Sequence, residues 1–264
     1  MRVLETMSVG FLLLALGCPR PTSSPAAPSR IVDLSYAFDE QTIYWPTAST
    51  FVLEGVAAGT TPGGYYYAAN NYGAAEHGGT HIDAPIHFNQ HGLTVDAIPP
   101  ERLIGPGVVV DVSAACATDR DYLVKVADLE AWENAHGPIP DGAIVLLRTG
   151  FGRYWPDRER YLGTAERGPD AVPKLHFPGL DPTAASWLAE SRSIGAIGLD
   201  TASIDHGPST TFASHLRLFA ANIPALENVA NLDQLPADGF TVVALPMKIR
   251  GGSGGPTRIV ALFR

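Results

Sequence analysis

Residues 77–87 constrain the fold of this chain more than any other segment. They read His-Gly-Gly-Thr-His-Ile-Asp-Ala-Pro-Ile-His. Two glycines and a proline disfavour a helix, so a turn that runs into an extended strand is predicted here. In an extended strand, the two-residue alternation places His81, Asp83 and His87 on one face. The glycine turn lets His77 fold back towards them.

Imidazole and carboxylate groups at this density are typical of a divalent metal site. Four of the chain's eight histidines lie between residues 77 and 91. Neutral nitrogens together with a carboxylate oxygen suit zinc, manganese or iron(II). We therefore predict that His77, His81 and Asp83 bind a metal ion. The alternative is a polar loop whose histidines are solvated.

The same stretch resembles the signature of a known family. Written as His77-x-Gly79-Thr80-His81-x-Asp83-x-Pro85-x-His87, it is similar to the motif of the metal-dependent cyclase family, which includes bacterial kynurenine formamidases and isatin hydrolases. The resemblance extends from about residue 31 to the C-terminus. It includes four further motifs: Tyr44-Trp45-Pro46, Gly198-Leu199-Asp200-Thr201, His215 with Glu227, and Leu245-Pro246-Met247-Lys248-Ile249-Arg250-Gly251.

The resemblance implies three properties that the residues alone do not establish. It implies that His215 and Glu227 complete the metal site, which then holds one or two ions of zinc or manganese. Taken alone, neither residue carries much signal. It also implies that Trp45 lines the substrate pocket, although an ordinary core tryptophan is the open alternative. The third implied property is a homodimer.

Composition indicates the fold class. With 264 residues, 45% of them hydrophobic, the chain is long enough to bury the core of one domain. A net charge of −9 argues against a nucleic-acid partner. The 22 prolines and 27 glycines disfavour a helical bundle. We predict a single α/β domain with a mixed sheet, and the resemblance implies the swivelling β/β/α architecture of the cyclases.

Hydrophobic runs and turn signals predict the individual elements. Strands are predicted at residues 31–36, 65–71, 107–113, 143–147, 194–199, 241–245 and 258–263. Helices are predicted at residues 128–136 and 181–190, the second with an aspartate cap and a proline in its first turn. Residues 149–177 are rich in Gly, Pro, Tyr and Arg, and we interpret them as a functional loop or lid.

The N-terminus has the pattern of an export signal. The apolar run at residues 7–16 is too short to span a bilayer but suits a signal peptide. Leu14-Ala15-Leu16-Gly17-Cys18 resembles a lipoprotein cleavage box. We predict a signal peptide at residues 1–18, a flexible tether at 19–29, a hydrolase domain at 30–264, and a periplasmic or lipid-anchored bacterial protein. Plain secretion is the alternative, and membrane partitioning of a Cys18→Ser variant separates the two.

The predicted ligand set suggests a hydrolytic reaction. A divalent ion lowers the pKa of bound water to about 7 and polarises a carbonyl group, and metal-bound hydroxide then attacks that carbonyl. A leaving nitrogen needs a proton, and histidine titrates near neutral pH. We predict that His87 serves as the catalytic acid/base. The alternative is that His87 is a further metal ligand.

Two other segments attract functional hypotheses. Residues 251–255 read Gly-Gly-Ser-Gly-Gly and match the G-x-S-x-G elbow of serine hydrolases. That fold places the catalytic histidine after the serine in the chain, but the last histidine of this sequence is His215. We expect a turn that lets the backbone approach the active site. Asp200, Asp205 and His206 follow a strand end, and either support the site or cap turns. Residues 65–67, Phe88 and the 149–177 segment are candidate pocket walls.

The leading functional hypothesis is a metal-dependent hydrolase that cleaves the C–N bond of a small aryl amide. The resemblance points to arylformamidase activity, N-formylkynurenine to kynurenine and formate. The first alternative is hydrolysis of a cyclic amide such as isatin. It is favoured by Thr47-Ala48 after Pro46, where kynurenine formamidases commonly have a glycine and a polar residue. A non-catalytic periplasmic metal- or ligand-binding lipoprotein is the alternative from another class.

Overall fold

The computed structural model describes residues 27–264, which contain twelve strands and five α-helices. The strands are β1 (Arg30–Asp33), β2 (Val52–Thr60), β3 (Tyr66–Gly73), β4 (His81–Asp83), β5 (Ile104–Asp111), β6 (Leu123–Val124), β7 (Ile144–Arg148), β8 (Gly179–Leu180), β9 (Ala196–Leu199), β10 (Ala225–Glu227), β11 (Phe240–Pro246) and β12 (Gly254–Phe263). The helices are α1 (Ser113–Cys116), α2 (Val126–His136), α3 (Arg158–Leu162), α4 (Pro182–Ser191) and α5 (Ala213–Ala220).

Seven strands close into a barrel. Their order is β12-β11-β5-β7-β9-β10-β4, and β4 pairs again with β12 to complete the ring, while β1 extends the sheet from β12. Strands β5, β7, β9 and β10 run parallel, and the other pairs are antiparallel. The predicted α/β class and mixed sheet are confirmed. The closure was not predicted, because it depends on the pairing of two strands far apart in the sequence.

The barrel separates two hydrophobic cores. Alternation along β5 sends Val109 into the barrel interior and Val108 and Val110 to the helix side. Leu129 of α2 and Leu188 of α4 pack on the helix side. Because both faces of β5 are buried, its sequence is a continuous apolar run and does not alternate with polar residues.

Local signals predicted several elements correctly. Asp181 caps α4 by accepting a hydrogen bond from the Thr183 amide, and proline occupies the first turn. Helix α2 ends before Gly137, which has a φ of 93°. The segment 149–177 is less irregular than predicted, because it contains α3 and two short 3₁₀ turns.

Other elements lacked a local signal. Strands β2 and β10 and helix α5 were not predicted. Strand β4 ends at Asp83, and Pro85 begins a 3₁₀ turn that contains His87. His87 therefore does not lie on the strand, as the alternation argument required, but on the turn that follows it.

The N-terminal predictions fall on a part of the chain that is mostly outside the described residues. The signal peptide at 1–18 and most of the tether at 19–29 belong to residues 1–26. Ser29 is described, and its amide donates to the carbonyl of Phe263 at 2.8 Å. Within residues 27–264, no helix has the length and apolar character needed to cross a membrane.

Candidate metal centre and substrate pocket

Two adjacent barrel strands and one helix build the candidate metal centre. Glu227 on β10 lies directly opposite His81 on β4 in the antiparallel register. Ile82 points into the barrel core, so His81 and Asp83 point to the helix side. Helix α5 packs there and brings His215 against the same two strands. Four polar side chains therefore meet in a region where each is at most 4% exposed.

The Asp83 carboxylate is the centre of this cluster. Its Oδ1 lies 2.6 Å from His77 Nδ1 and 3.1 Å from His81 Nε2. Its Oδ2 lies 3.2 Å from His215 Nε2 and 3.9 Å from His87 Nε2. The structure thus brings together the four histidines that were predicted as metal ligands or as the acid/base, namely His77, His81, His87 and His215.

Glu227 supplies a second buried carboxylate. Its two oxygens lie 3.5 Å from His81 Nε2 and 3.3 Å from His215 Nε2. Burial raises the pKa of Glu227, and the Asp83 carboxylate raises it further. Burial also acts to raise the pKa of Asp83, but His77 and His215 outweigh this effect and hold the pKa well below its ordinary value. Two buried carboxylates at one place call for positive charge.

The donor atoms form two overlapping groups within residues 27–264. One consists of His77, Asp83 and His87, and the other of His81, Asp83 and Glu227; in each group the donors lie within 4.8 Å of one another. The buried His81 Nε2 has no hydrogen-bond partner, because its 3.1 Å contact with Asp83 lacks hydrogen-bond geometry. An orphaned lone pair between two carboxylates fits a divalent cation. Asp83 belongs to both groups and so could serve two ions.

Hydrogen bonds outside the cluster determine which nitrogen of two histidines is free. His81 Nδ1 lies 3.0 Å from the Gly79 carbonyl oxygen, which only accepts, so Nδ1 carries the proton. His215 Nδ1 lies 2.6 Å from Asp205 Oδ2, which likewise only accepts. In both rings Nε2 then faces the carboxylates, which is the position from which a metal ligand offers its lone pair.

His77 is oriented through Ser253 and Glu76. The Ser253 hydroxyl donates its one proton to Glu76 Oε2 at 2.6 Å, so it accepts from His77 Nε2–H at 2.8 Å. The His77 Nδ1 lone pair is thereby directed at Asp83 Oδ1, 2.6 Å away. Two lone pairs at this distance repel unless a proton or a metal cation lies between them. The contact is the second feature that fits a cation.

Ser253, His77 and Asp83 also touch in the order of a serine-hydrolase triad. Two observations argue against that function. Ser253 does not line the cavity described below, and its hydroxyl proton goes to Glu76 and not to His77. The glycine-rich turn does approach the site closely: a Cβ on Gly254 would lie 2.7 Å from His77 Cε1. The prediction of close backbone approach is confirmed.

A cavity of about 330 Å³ opens directly onto the cluster. His77, His81, Asp83, His215 and Glu227 line it at one end, together with His87. Burial lowers the pKa of His87 to about 4, although Asp83 opposes the shift. The imidazole is therefore neutral at pH 7 and offers a lone pair at the boundary between cluster and cavity.

Aromatic side chains form the other walls. Trp45 and Phe88, both anticipated from the sequence, line the cavity together with Phe212, and their ring centroids lie 6.5 Å and 5.1 Å from that of Phe212. Phe212 was missed by sequence reasoning. Its φ of 49° is a left-handed conformation that bulky residues rarely adopt, and such strain concentrates at functional sites. No local signal marks it, since the strain depends on how α5 begins.

Asp200, Asp205 and His206, which follow β9, differ in their relation to the site. Asp205 supports the site, because it binds His215 Nδ1 and accepts hydrogen bonds from the Ser214 and His215 amides. Asp200 accepts from Thr149 and from the Gly150 amide, so it holds a turn. His206 does not line the cavity. The segment 65–67 is likewise absent from the cavity walls.

Comparison with known proteins agrees with this geometry. The family model Cyclase, described as "Putative cyclase", matches residues 32–206. Isatin hydrolase from Roseibium aggregatum is 36% identical over 208 residues, 75% of this chain and 76% of that protein. Kynurenine formamidase from Salinibacter ruber is 32% identical over 184 residues, 70% of this chain and 74% of that protein.

A solved structure of related sequence has the same fold. Isatin hydrolase A from Ralstonia solanacearum superposes with a TM-score of 0.79 and 35% identity, covering 89% of this chain and 92% of that one. The barrel carries a histidine–carboxylate cluster on its helix side, and the relatives are hydrolases. Together these findings place the protein among hydrolases of this fold. The chain belongs to the cyclase family.

The hydrogen-bonded chain behind His77 yields a prediction. Ser253→Ala removes the acceptor of His77 Nε2–H, so we expect metal affinity to fall by about 10–100-fold, as for other outer partners of metal ligands. Competition with a chromophoric chelator measures this. Glu76→Leu should behave alike, whereas Glu76→Gln keeps an acceptor oxygen and should stay near wild type. Abolished turnover in Ser253→Ala with full metal affinity would instead indicate a nucleophilic serine.

Proposed function

We propose that this chain hydrolyses the C–N bond of a small aryl amide with a divalent metal ion. The observation that carries the proposal is the cavity, which has the donor cluster at one end and aromatic rings on its walls. Zinc and manganese both match the donor set. Because Asp83 belongs to both donor groups, the proposal includes one ion or two. The residues that would hold them are His77, His81, Asp83, His215 and Glu227.

The chain's own residues divide the work of such a reaction. A divalent ion, when bound, supplies an activated water molecule and polarisation of the carbonyl group. His87 is neutral at pH 7, so its lone pair can take the proton of the attacking water and return it to the leaving nitrogen. Its Nε2 faces the cluster, 3.9 Å from Asp83 Oδ2. The aromatic walls exclude water and stack on a planar ring, which contributes about 0.5–1.5 kcal/mol beyond burial.

Isatin, a cyclic amide, is the substrate we place first. Two relatives called isatin hydrolase support this choice: one has 36% sequence identity to this chain, and the other, of known structure, has 35%. Thr47-Ala48 after Pro46 also departs from the formamidase pattern. N-formylkynurenine is the second candidate, supported by the formamidase relative at 32% identity. A binding protein without catalysis would leave the placement of His87 between cluster and cavity unexplained.

The activity test uses the mature protein and both substrates. We expect hydrolysis of isatin to exceed that of N-formylkynurenine, measured by the absorbance of each product. Removal of metal with a chelator should abolish turnover, and titration with zinc or manganese should restore it, with the stoichiometry giving the number of ions. Binding of metal with no turnover of either compound would favour the non-catalytic alternative.

His87 carries the mechanistic prediction. His87→Ala should lower kcat by about 10²–10⁴-fold, which is typical of a lost acid/base group, while metal content and Tm stay near wild type. Anilides with a nitro group on the ring should lose less activity, because their leaving nitrogen needs a proton less. A variant that loses its metal would reassign His87 as a ligand, as the first donor group allows.

We also propose that two copies of the chain pair through the β2–β3 hairpin. Strands β2 and β3 pair only with each other, and no side chain of residues 52–73 belongs to either core of the described chain. Leu53 and Tyr66 are 61% and 70% exposed. An isolated hairpin with apolar side chains on its surface is barely stable in water. Tyr72 extends the apolar surface to Met247, whose sulfur lies 3.2 Å from the Tyr72 hydroxyl.

A second copy suits this surface better than a charged partner. Glu54 is the only charged residue between positions 52 and 73 in a chain of net charge −9, so two hairpins meet without strong repulsion. Nine residues of β2 span about 30 Å, which is long enough for the hairpin to form one side of an extended contact between two copies. Free edges on both strands allow two-fold symmetric pairing.

The dimer is tested by sedimentation. Leu53→Asp combined with Tyr66→Asp should shift the protein from dimer to monomer at micromolar concentration. Ile31→Asp is the matched control, because this side chain is 60% exposed on the edge strand β1, outside the hairpin. A wild-type protein that sediments as a monomer at these concentrations would overturn the proposal.

A further inference from the structure

One wall of the cavity is a strip of backbone that is held at both edges. Residues 43–48 contribute Ile43, Tyr44, Trp45 and Ala48 to the lining. On one edge the strip joins the histidine motif: the Gly79 amide donates to the Ile43 carbonyl at 3.0 Å, and Tyr44 forms a β-bridge with Gly78. The strip therefore begins beside the metal ligands themselves.

The other edge is held by the segment 149–177. Three donors of this segment bind alternate carbonyl groups of the strip: Arg158 Nη1 to Tyr44 at 3.1 Å, the Gly168 amide to Pro46 at 2.9 Å, and Arg167 Nη2 to Ala48 at 2.6 Å. Residues 45–48 form a turn in which the Ala48 amide donates to the Trp45 carbonyl at 3.0 Å, and the three bound carbonyls belong to this turn and to the residue before it. The strip is thus clamped along its length.

The two arginines use their charge in an unusual way. Among the described residues, neither has a carboxylate within 4.0 Å, although Glu40 and Asp157 line the same cleft. Arg158 instead donates a hydrogen bond from its second Nη to the Glu166 carbonyl, at 3.1 Å. Burial and the nearby Arg167 both lower the pKa of Arg158. Hydrogen bonds from a charged donor are stronger than neutral ones, so the strip is held firmly without an ion pair.

We propose that Arg158 and Arg167 are positioning residues that fix Trp45 against the ring of the substrate. The proposal rests on the proposed amide hydrolysis and assigns a role to the segment 149–177. Neither arginine lines the cavity, so both act through the strip. Without the clamp, the strip stays attached to the histidine motif but its free edge moves, and Trp45 moves with it.

The clamp should govern substrate binding and not the chemical step. His87 and the metal-binding side chains lie on other elements and keep their contacts when the strip loosens. Loss of an interaction made equally in the ground and transition states raises KM and leaves kcat unchanged. Loss of a structural support would instead lower metal content and Tm.

The test uses a double methionine variant, which keeps the stem of each side chain as far as the Nε position but removes the guanidinium donors. For Arg158→Met with Arg167→Met, we expect KM for isatin to rise about 5–30-fold while kcat stays within about 2-fold of wild type. Hydrogen exchange of a peptide covering residues 43–50 should accelerate, and that of His81–Asp83 should not. Arg153→Met is the matched control, since this arginine donates to the Tyr154 hydroxyl and not to the strip.

Lysine substitutions sharpen the result. Arg158→Lys with Arg167→Lys retains one donor for each strip carbonyl, so its KM should lie between those of wild type and the methionine variant. Unchanged KM and unchanged exchange in the methionine variant would overturn the proposal, as would equal loss of kcat and metal. If wild type turns over neither isatin nor N-formylkynurenine, the proposed function fails, and hydrogen exchange alone decides whether the clamp exists.

Discussion

The buried Asp83 carboxylate is the group on which the rest of the site depends. It contacts three histidine rings within 3.2 Å and is 2% exposed. Taking a carboxylate out of water is costly unless charge and hydrogen bonds compensate, so the surrounding residues must supply both. Glu227 nearby makes the need for positive charge greater, because the Asp83 carboxylate raises the pKa of Glu227. A divalent cation would meet this need, because Asp83, Glu227 and the orphaned His81 Nε2 lie together as one group of donors.

The barrel turns this local requirement into a defined cavity. Closure of β4 against both β10 and β12 fixes the direction of its side chains, so that Ile82 enters the barrel core and His81 faces α5. The same closure brings Ser253 behind His77. The chemistry and the fold are therefore coupled: the strand that completes the barrel also carries the central carboxylate. Outer partners such as Asp205 then set the free nitrogen of each ring.

Much of the structure of residues 77–87 was predictable because its signals are local. Glycines and proline exclude a helix, and strand alternation puts His81 and Asp83 on one face. The same reasoning was wrong in placing His87 on that strand, because Pro85 begins a 3₁₀ turn. His87 nevertheless reaches the cluster, 3.9 Å from Asp83, by a different backbone path. The ligand roles of these residues, the metal and the exported location stay predictions.

The sequence by itself determined the buried strand β5, the capped helix α4 and the histidine motif, since each depends on neighbours within a few residues. Only the tertiary structure decided what surrounds that motif. His215 lies 132 residues along the chain from Asp83, and Ser253 lies 176 residues from His77. Arg158 lies 114 residues from Tyr44, whose carbonyl it binds. Such contacts arise from barrel closure and helix packing, which no short sequence pattern encodes. The family resemblance anticipated His215, but the clamp on Trp45 became visible only in three dimensions.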